Sequence, residues 1–336
     1  MTRSPTVKIT IMASLLVGVL IAAAVVIVTP VLDRHSDDPS APATGNGTDL
    51  DLERRIAGFA TDTVAGARFL PPNRVERETV AAGVGLYLDG KRGEAERRLA
   101  EVDFGVHILR DTVKGRRYAE IADRAREGAR GWGRVYIDLD APARFSVQVP
   151  HPVADAYSET LGFGVLRGAP GGVLVVAGAH RMAGEGNAAD VAHRTDTVFH
   201  AVCAELVARG LPGIQVHGFA DKTARAHDAV VSTGAGDDGR PQAVTLARAL
   251  TDDGFRVCRA WSAKCPLAGR ANKQGRLAAD DGVPFIHVEF SRTVREDTAR
   301  GRRVVAAMTT AVAEWKTAER KTTAPKATER EARSGG

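Results

Sequence analysis

The stretch that decides the fold opens with Phe145-Ser146-Val147-Gln148-Val149, runs on through Asp155 to Leu166, and closes on Val173-Leu174-Val175-Val176-Ala177. Its two ends are short apolar runs, which predict buried strands, and the segment between them, 155–166, predicts a helix. Downstream the rhythm continues, with helices expected over 197–209, 241–252 and 298–315 and strands over 214–216, 229–232, 255–258 and 284–290. Two of the helices rest on spacing. Val198, Phe199, Val202, Cys203, Leu206 and Val207 recur at helical period before Gly210, and Val304, Val305, Met308, Val312 and Trp315 do the same near the end. Upstream, 52–65, 95–102 and 118–126 have helical patterns, with short apolar runs at 105–109 and 135–137 and no internal repeat. Strands alternating with helices predict an α/β domain whose mixed, largely parallel sheet is covered by helices on both faces.

Residues 9–32 carry no charge and are long enough to cross a hydrocarbon core. Arg3 and Lys8 precede them, while Arg34 follows among Asp33, Asp37 and Asp38, which places the N-terminus in the cytoplasm. A cleaved signal peptide is the alternative, but its apolar region is shorter, and Thr29-Pro30-Val31 is a poor cleavage site. The expected organisation is a cytoplasmic stub at 1–8, one transmembrane signal anchor at 9–32 and a flexible linker at 33–49. A folded domain at 50–315 and a disordered tail at 316–336 follow. On this reading the protein is single-pass, with its C-terminal domain outside the cytoplasm.

The net charge is +5. Two cations lie in the N-terminal stub, and from Lys316 onward six Lys and Arg face three Glu, so the region between is neutral. Basic ends around a neutral domain argue against a nucleic-acid partner. Cys258 and Cys265 stand close enough to bond in an oxidising compartment, whereas Cys203 falls on the apolar stripe of a helix.

Chemistry concentrates where strands end. His151, His180 and His217 each follow an apolar run, and in open α/β sheets the carboxyl ends of the strands line the ligand crevice. Asp155 and Glu159 come one helical turn apart after His151, so both carboxylates are expected to face it. Imidazole with carboxylate suits Zn2+, and a catalytic site keeps three protein ligands and one open position. His151, Asp155 or Glu159, and His217 are the candidate ligands.

Period-two alternation in Phe285-Ile286-His287-Val288-Glu289-Phe290 puts His287 and Glu289 on one face. A carboxylate on a buried strand is costly unless it is used, which makes Glu289 the candidate general base. Arg181, beside His180, and Arg292 or Arg295 are candidate clamps for a substrate carboxylate. His180, Asp196, His287 and Arg292 are possible lining residues. Asp190, His193, Asp196 and His200 cluster at a polar helix start, where capping and a solvated face account for most of them.

Gly234-Ala-Gly236-Asp-Asp-Gly239 matches a dinucleotide fingerprint, but Asp237 and Asp238 would repel a pyrophosphate, and no ribose-binding acid ends the next strand. It is expected to be a loop. No GxSxG, Walker A, HExxH or CxxC motif occurs.

Taken in order, Val149-Pro150-His151, Ala179-His180-Arg181, Val216-His217-Gly218, the stretch from Leu267 through Asn272 to Gly275, and Ile286-His287-Val288-Glu289-Phe290-Ser291-Arg292 resemble the N-formylglutamate amidohydrolases and zinc carboxypeptidase-like hydrolases. The likeness covers about 145–296. It implies a zinc-peptidase-like fold in which His151, a nearby carboxylate and His217 hold zinc, Glu289 is the base and Arg181 meets the substrate carboxylate. The family pattern His-x-x-Glu is absent, since Asp155 and Glu159 stand four and eight residues after His151, and His180-Arg181 replaces Asn-Arg.

The expected function is hydrolysis of a small carboxylate-bearing amide or peptide by a membrane-anchored zinc enzyme outside the cytoplasm. The rivals are a non-catalytic exported binding domain on the same fold and a histidine-rich metal carrier.

Overall fold

Among the described residues, strands buried on both faces form the middle of a ten-stranded sheet; Gly172–Val176 is continuously apolar, and the other three central strands alternate apolar residues with buried polar ones. The computed structural model describes residues 47–64, 68–124 and 130–315. The first half of the domain contains β1 (Thr48–Leu50), α1 (Leu52–Gly58) with a π-helical turn at Phe59–Val64, α2 (Arg74–Leu88), α3 (Arg92–Ala100), β2 (Phe104–Asp111), β3 (Arg117–Asp123), β4 (Arg134–Asp138) and β5 (Phe145–Val149). Then come α4 (Ser158–Gly168), β6 (Gly172–Val176), α5 (Val198–Ala208), β7 (Gly213–Phe219), β8 (Ala229–Ser232) and α6 (Arg240–Asp252). β9 (Val257–Arg259), α7 (Lys273–Asp280), β10 (Phe285–Ser291), α8 (Arg292–Glu296) and α9 (Thr298–Ala313) complete it.

The strand order is β1-β2-β3-β4-β6-β5-β7-β10-β8-β9. β6, β5, β7 and β10 run parallel at the centre, while β2-β3, β3-β4, β4-β6 and β10-β8 are antiparallel. The sheet is therefore mixed, with a parallel middle, rather than largely parallel.

Helices cover both faces, as expected. One core joins Val147, Val149, Ile214, Val216, Ile286 and Val288 to α1, α4, α6 and α9 through Leu52, Leu161, Leu246 and Met308. The other joins Ile121, Val135, Val173 and Val175 to α2, α3 and α5 through Val84, Leu99 and Val202. Side-chain caps fix several helix starts. Asn73 and Glu76 close a capping box on α2, and Thr197, Asn272 and Asp297 accept from the first turns of α5, α7 and α9.

Three further expectations need correction. Residues 118–126 were expected to be helical, but Arg117–Asp123 is β3, paired on both sides. Tyr118, Ile121 and Ala122 fit helical spacing, yet all are buried because the strand has a core on each face. β1 begins at Thr48, inside the stretch expected as linker. The helix expected from 155 begins at Ser158, so Asp155 precedes it and does not share a helical face with Glu159. Next to Asn272, where the sequence suggested no element, lies a helix, α7. The expected anchor at 9–32 and tail at 316–336 lie outside the described residues. Among the described residues, no helix is long and apolar enough to cross a membrane.

Candidate metal centre

Registry across the parallel strands assembles the site. Gln148 of β5 stands opposite Gln215 of β7, which stands opposite His287 of β10, itself opposite Ser232 of β8. One step along, His217 is opposite Glu289. Since side chains alternate, these residues form two polar rows on one face of the sheet. His151 and Asp155 enter from the turn after β5.

Asp155 Oδ2 lies 3.4 Å from His151 Nδ1 and 3.2 Å from His217 Nδ1. The opposite nitrogens are committed elsewhere. His151 Nε2 is 2.8 Å from Asp190 Oδ1, and His217 Nε2 is 2.7 Å from Gln215 Oε1. A carboxylate and an amide carbonyl only accept, so each ring, when neutral, carries its proton on Nε2 and leaves a lone pair on Nδ1, which on His151 also has Arg181 Nη1 at 3.5 Å. Gln215 is held in that sense by its neighbours. Its amide nitrogen donates to Gln148 Oε1 at 3.0 Å and Gln274 Oε1 at 3.3 Å, while its oxygen also accepts from Asn272 Nδ2.

With both rings neutral, three buried acceptors face one another, an arrangement that either a cation among them or a proton on Nδ1 relieves. Tetrahedral bonds of about 2.0–2.1 Å place ligand atoms roughly 3.3–3.4 Å apart, which is the spacing around Asp155 Oδ2. The second-sphere acceptors on both Nε2 atoms are those that metal-binding histidines use. His151, Asp155 and His217, all buried, are thus a group that could hold a metal ion, and His217, His287 and Glu289 are a second. The groups share His217, whose Nε2 is occupied by Gln215, so Nδ1 is the nitrogen left for either.

The three rings stand side by side, with centroids 4.9 Å apart for His151 and His217 and 4.7 Å apart for His217 and His287. Burial pushes His217 down to about 4 and His287 well below the usual histidine range. Burial would also lower His151, but its hydrogen bonds to Asp155 and Asp190 outweigh that and raise it. Burial works against the charge of Asp155, yet His151 and His217 hold it below the carboxylate range. Glu289 is raised well above that range, first by burial and then by Asp155. Its Oε1 is 3.9 Å from His287 Nε2, and His287 Nδ1 is buried without a partner.

The backbone of Gly269 presses on the His287 ring. Its φ of +64° is left-handed, and a Cβ there would stand 2.5 Å from the imidazole, so both conformation and space require glycine. Ser232 Oγ donates to Ala268 O at 2.6 Å and anchors this loop. Arg270 beyond it lines a separate cavity of about 240 Å³ with Trp261, Arg240 and the turn at 233–237, which includes none of the histidines.

Several expected residues lie elsewhere. Glu159 is buried but belongs to neither donor group, and its Oε2 has no partner. Burial raises it to about 7. Asp196 is half-buried and paired with Arg194. Arg292 is exposed and paired with Glu296. His180 accepts from the backbone of Met182 and joins neither donor group. Arg295 is buried and donates to the carbonyls of Phe290, Phe219 and Ala156, so it braces strand ends instead of facing a substrate.

Arg181 does border the site, with Nη2 2.7 Å from Asp190 Oδ2 and Nη1 3.5 Å from His151 Nδ1. Asp190, expected only to cap or face solvent, orients both His151 and Arg181. The glutamines were not singled out from the sequence, although Gln148 and Gln215 in the middle of apolar strands are the kind of buried polar residue that signals a use.

No family model matches the chain, and no curated protein matches it. Among solved structures, the crystal structure of gene product Atu2144 from Agrobacterium tumefaciens aligns over 50% of this chain and 88% of its own, at 11% identity and a TM-score of 0.35. That likeness is too slight to assign a fold or a function.

Proposed function

We propose that the protein is a zinc-dependent hydrolase of an amide or peptide bond, held on the outer side of a membrane by residues 9–32. The observation that carries the reading is that Nδ1 of both His151 and His217 stands beside Asp155 Oδ2 while both Nε2 atoms are engaged by acceptors. Nitrogen and carboxylate donors in that number suit zinc and leave one position open. The disulfide between Cys258 and Cys265 fits an oxidising compartment.

His151, Asp155 and His217 would hold zinc, which would supply a Lewis acid for the scissile carbonyl and lower the pKa of water. The chain's own residues do the rest. Glu289, whose burial raises its proton affinity, takes a proton from the attacking water on a carboxylate oxygen and returns it to the leaving amine. Asp190 holds His151 and Arg181 together, and Gln215 holds His217. Arg181, partly exposed, offers its guanidinium to a substrate carboxylate.

Zinc analysis of the purified protein tests the reading. One zinc per chain is expected, lost in His151→Ala, together with amide hydrolysis that Glu289→Gln abolishes while keeping the metal. Zinc binding without hydrolysis by the wild type would favour the carrier, and a protein that takes up no zinc would favour the non-catalytic binder.

A further inference from the structure

Asp190 and Gln215, the acceptors behind His151 and His217, stand on different segments of the chain, and one buried side chain joins those segments. Gln274, 1% exposed in the first turn of α7, donates from Nε2 to the backbone carbonyl of Val191 at 2.9 Å. Its Oε1 accepts from Gln215 Nε2 at 3.3 Å. Val191 follows Asp190 directly, and Lys273 N, beside Gln274, donates to Ala192 O at 2.8 Å. The start of α7 therefore grips the Asp190 segment on one side and the Gln215 amide on the other.

Which end of a glutamine is nitrogen follows from its partners, and here a main-chain carbonyl decides it. Val191 O can only accept, so Gln274 must turn its nitrogen that way and its oxygen toward Gln215. The same nitrogen lies 3.1 Å from His200 Nδ1. Burial, with Lys273 and Arg77 nearby, pushes His200 down to about 4, so its ring is neutral and accepts. Gln215 must then direct its own nitrogen at Gln274 and its oxygen at His217. The polarity runs one way, from His217 Nε2 through two amides to the backbone. The grip on the other side matters because of where Asp190 sits. Among the described residues, the connection 177–197 from β6 to α5 has no regular element beyond a 3-10 turn at Glu185–Asn187. Segments with so little structure of their own open easily unless they are tied down.

We infer that Gln274 is a positioning residue for both histidines of the candidate centre, fixing the segment that presents Asp190 to His151 and the amide that Gln215 presents to His217. The inference rests on the metal reading of the centre and is independent of which bond is cleaved.

Zinc competition against a chromophoric chelator, on the whole protein, tests it. Gln274→Met, similar in length but without the amide, is expected to bind zinc about tenfold more weakly, the scale of losing an outer partner of a metal ligand. Part of that effect passes through Gln215, so in a Gln215→Leu background the same substitution should cost no more than about threefold. A residue that served stability alone would cost the same in both backgrounds. In metal-free protein the backbone amides of Asp190 and His193 should exchange hydrogen about tenfold faster in Gln274→Met, with α9 unchanged. Gln274→Asn, one methylene too short to span Val191 and Gln215, should show both effects at about threefold and covers a methionine variant that does not fold. Unchanged zinc affinity, equal losses in the two backgrounds or unchanged exchange at Asp190 would each overturn the inference alone. A wild type that takes up no zinc would overturn it together with the metal reading, whereas one that binds zinc with the expected coupling and cleaves no amide would sink the hydrolase reading only.

Discussion

Gln215 decides which nitrogen of His217 is bare. Its carbonyl takes the Nε2 proton, and its own orientation is locked because Gln148 and Gln274 accept from its amide nitrogen. Replacing it with leucine removes the acceptor and frees the ring to place its proton on Nδ1, where a metal would bind. Metal affinity of Gln215→Leu is expected to fall about 10- to 100-fold, while Gln215→Glu, still an acceptor, stays near wild type. Competition with a chromophoric chelator reads the difference.

Glu159 makes a separate prediction at the same scale. Burial raises it to about 7 from its ordinary 4.5. Below pH ~4.5 both folded and unfolded chains hold the proton, and no penalty exists. Between there and pH ~7 the unfolded chain releases it first, so stability falls as pH rises. Above pH ~7 the loss levels off at an order of 3 kcal/mol. Glu159→Gln should therefore match wild type in urea unfolding of the metal-free protein at pH 4 and exceed it at pH 8; equal midpoints at pH 8 would contradict the assignment. These two carboxylates also mark the limit of what spacing can decide. His151, His217 and Glu289 were legible because strand ends and alternation place them. Asp155 could not be told from Glu159 because left-handed backbone at Tyr157 turns the chain between them, and no periodicity encodes that.

At the scale of elements, the loop between β9 and α7 does more than connect. The Cys258–Cys265 disulfide pins its start, Ser232 holds Ala268, Gly269 packs on His287, and Asn272 both caps α7 and reaches Gln215. Gly269→Ala would force a Cβ into the imidazole from a backbone that disfavours it. A loss of roughly 1–3 kcal/mol is expected, visible as a lower Tm and weaker metal binding together. Gly282, equally left-handed but with open space around it, is the control, and Gly282→Ala should lower Tm without touching the metal. The sequence revealed this loop only as a glycine- and asparagine-containing stretch, because its contacts are with distant strands. β3 was misread for a related reason. A strand packed on both faces loses its alternation, and the remaining apolar positions can imitate a helix.

At the scale of the whole molecule, the centre draws on segments far apart in the chain: 151–155 after β5, Asp190 before α5, Gln215 and His217 in β7, Asn272 at α7, and His287 and Glu289 in β10. A cation bound there ties the central parallel strands to the loops above them, and it binds only when all are in place. Ligand binding to the folded state alone stabilises by RT ln(1 + [L]/Kd), about 4 kcal/mol at a thousandfold excess over Kd. Stripping zinc with a chelator should therefore lower Tm by several degrees, and readding zinc should restore it. In His151→Ala the chelator should have almost no effect, because the metal it removes was never bound. A wild-type Tm indifferent to both chelator and zinc would mean that the lone pairs facing Asp155 hold a proton instead of a metal, and the hydrolytic reading would lose its foundation.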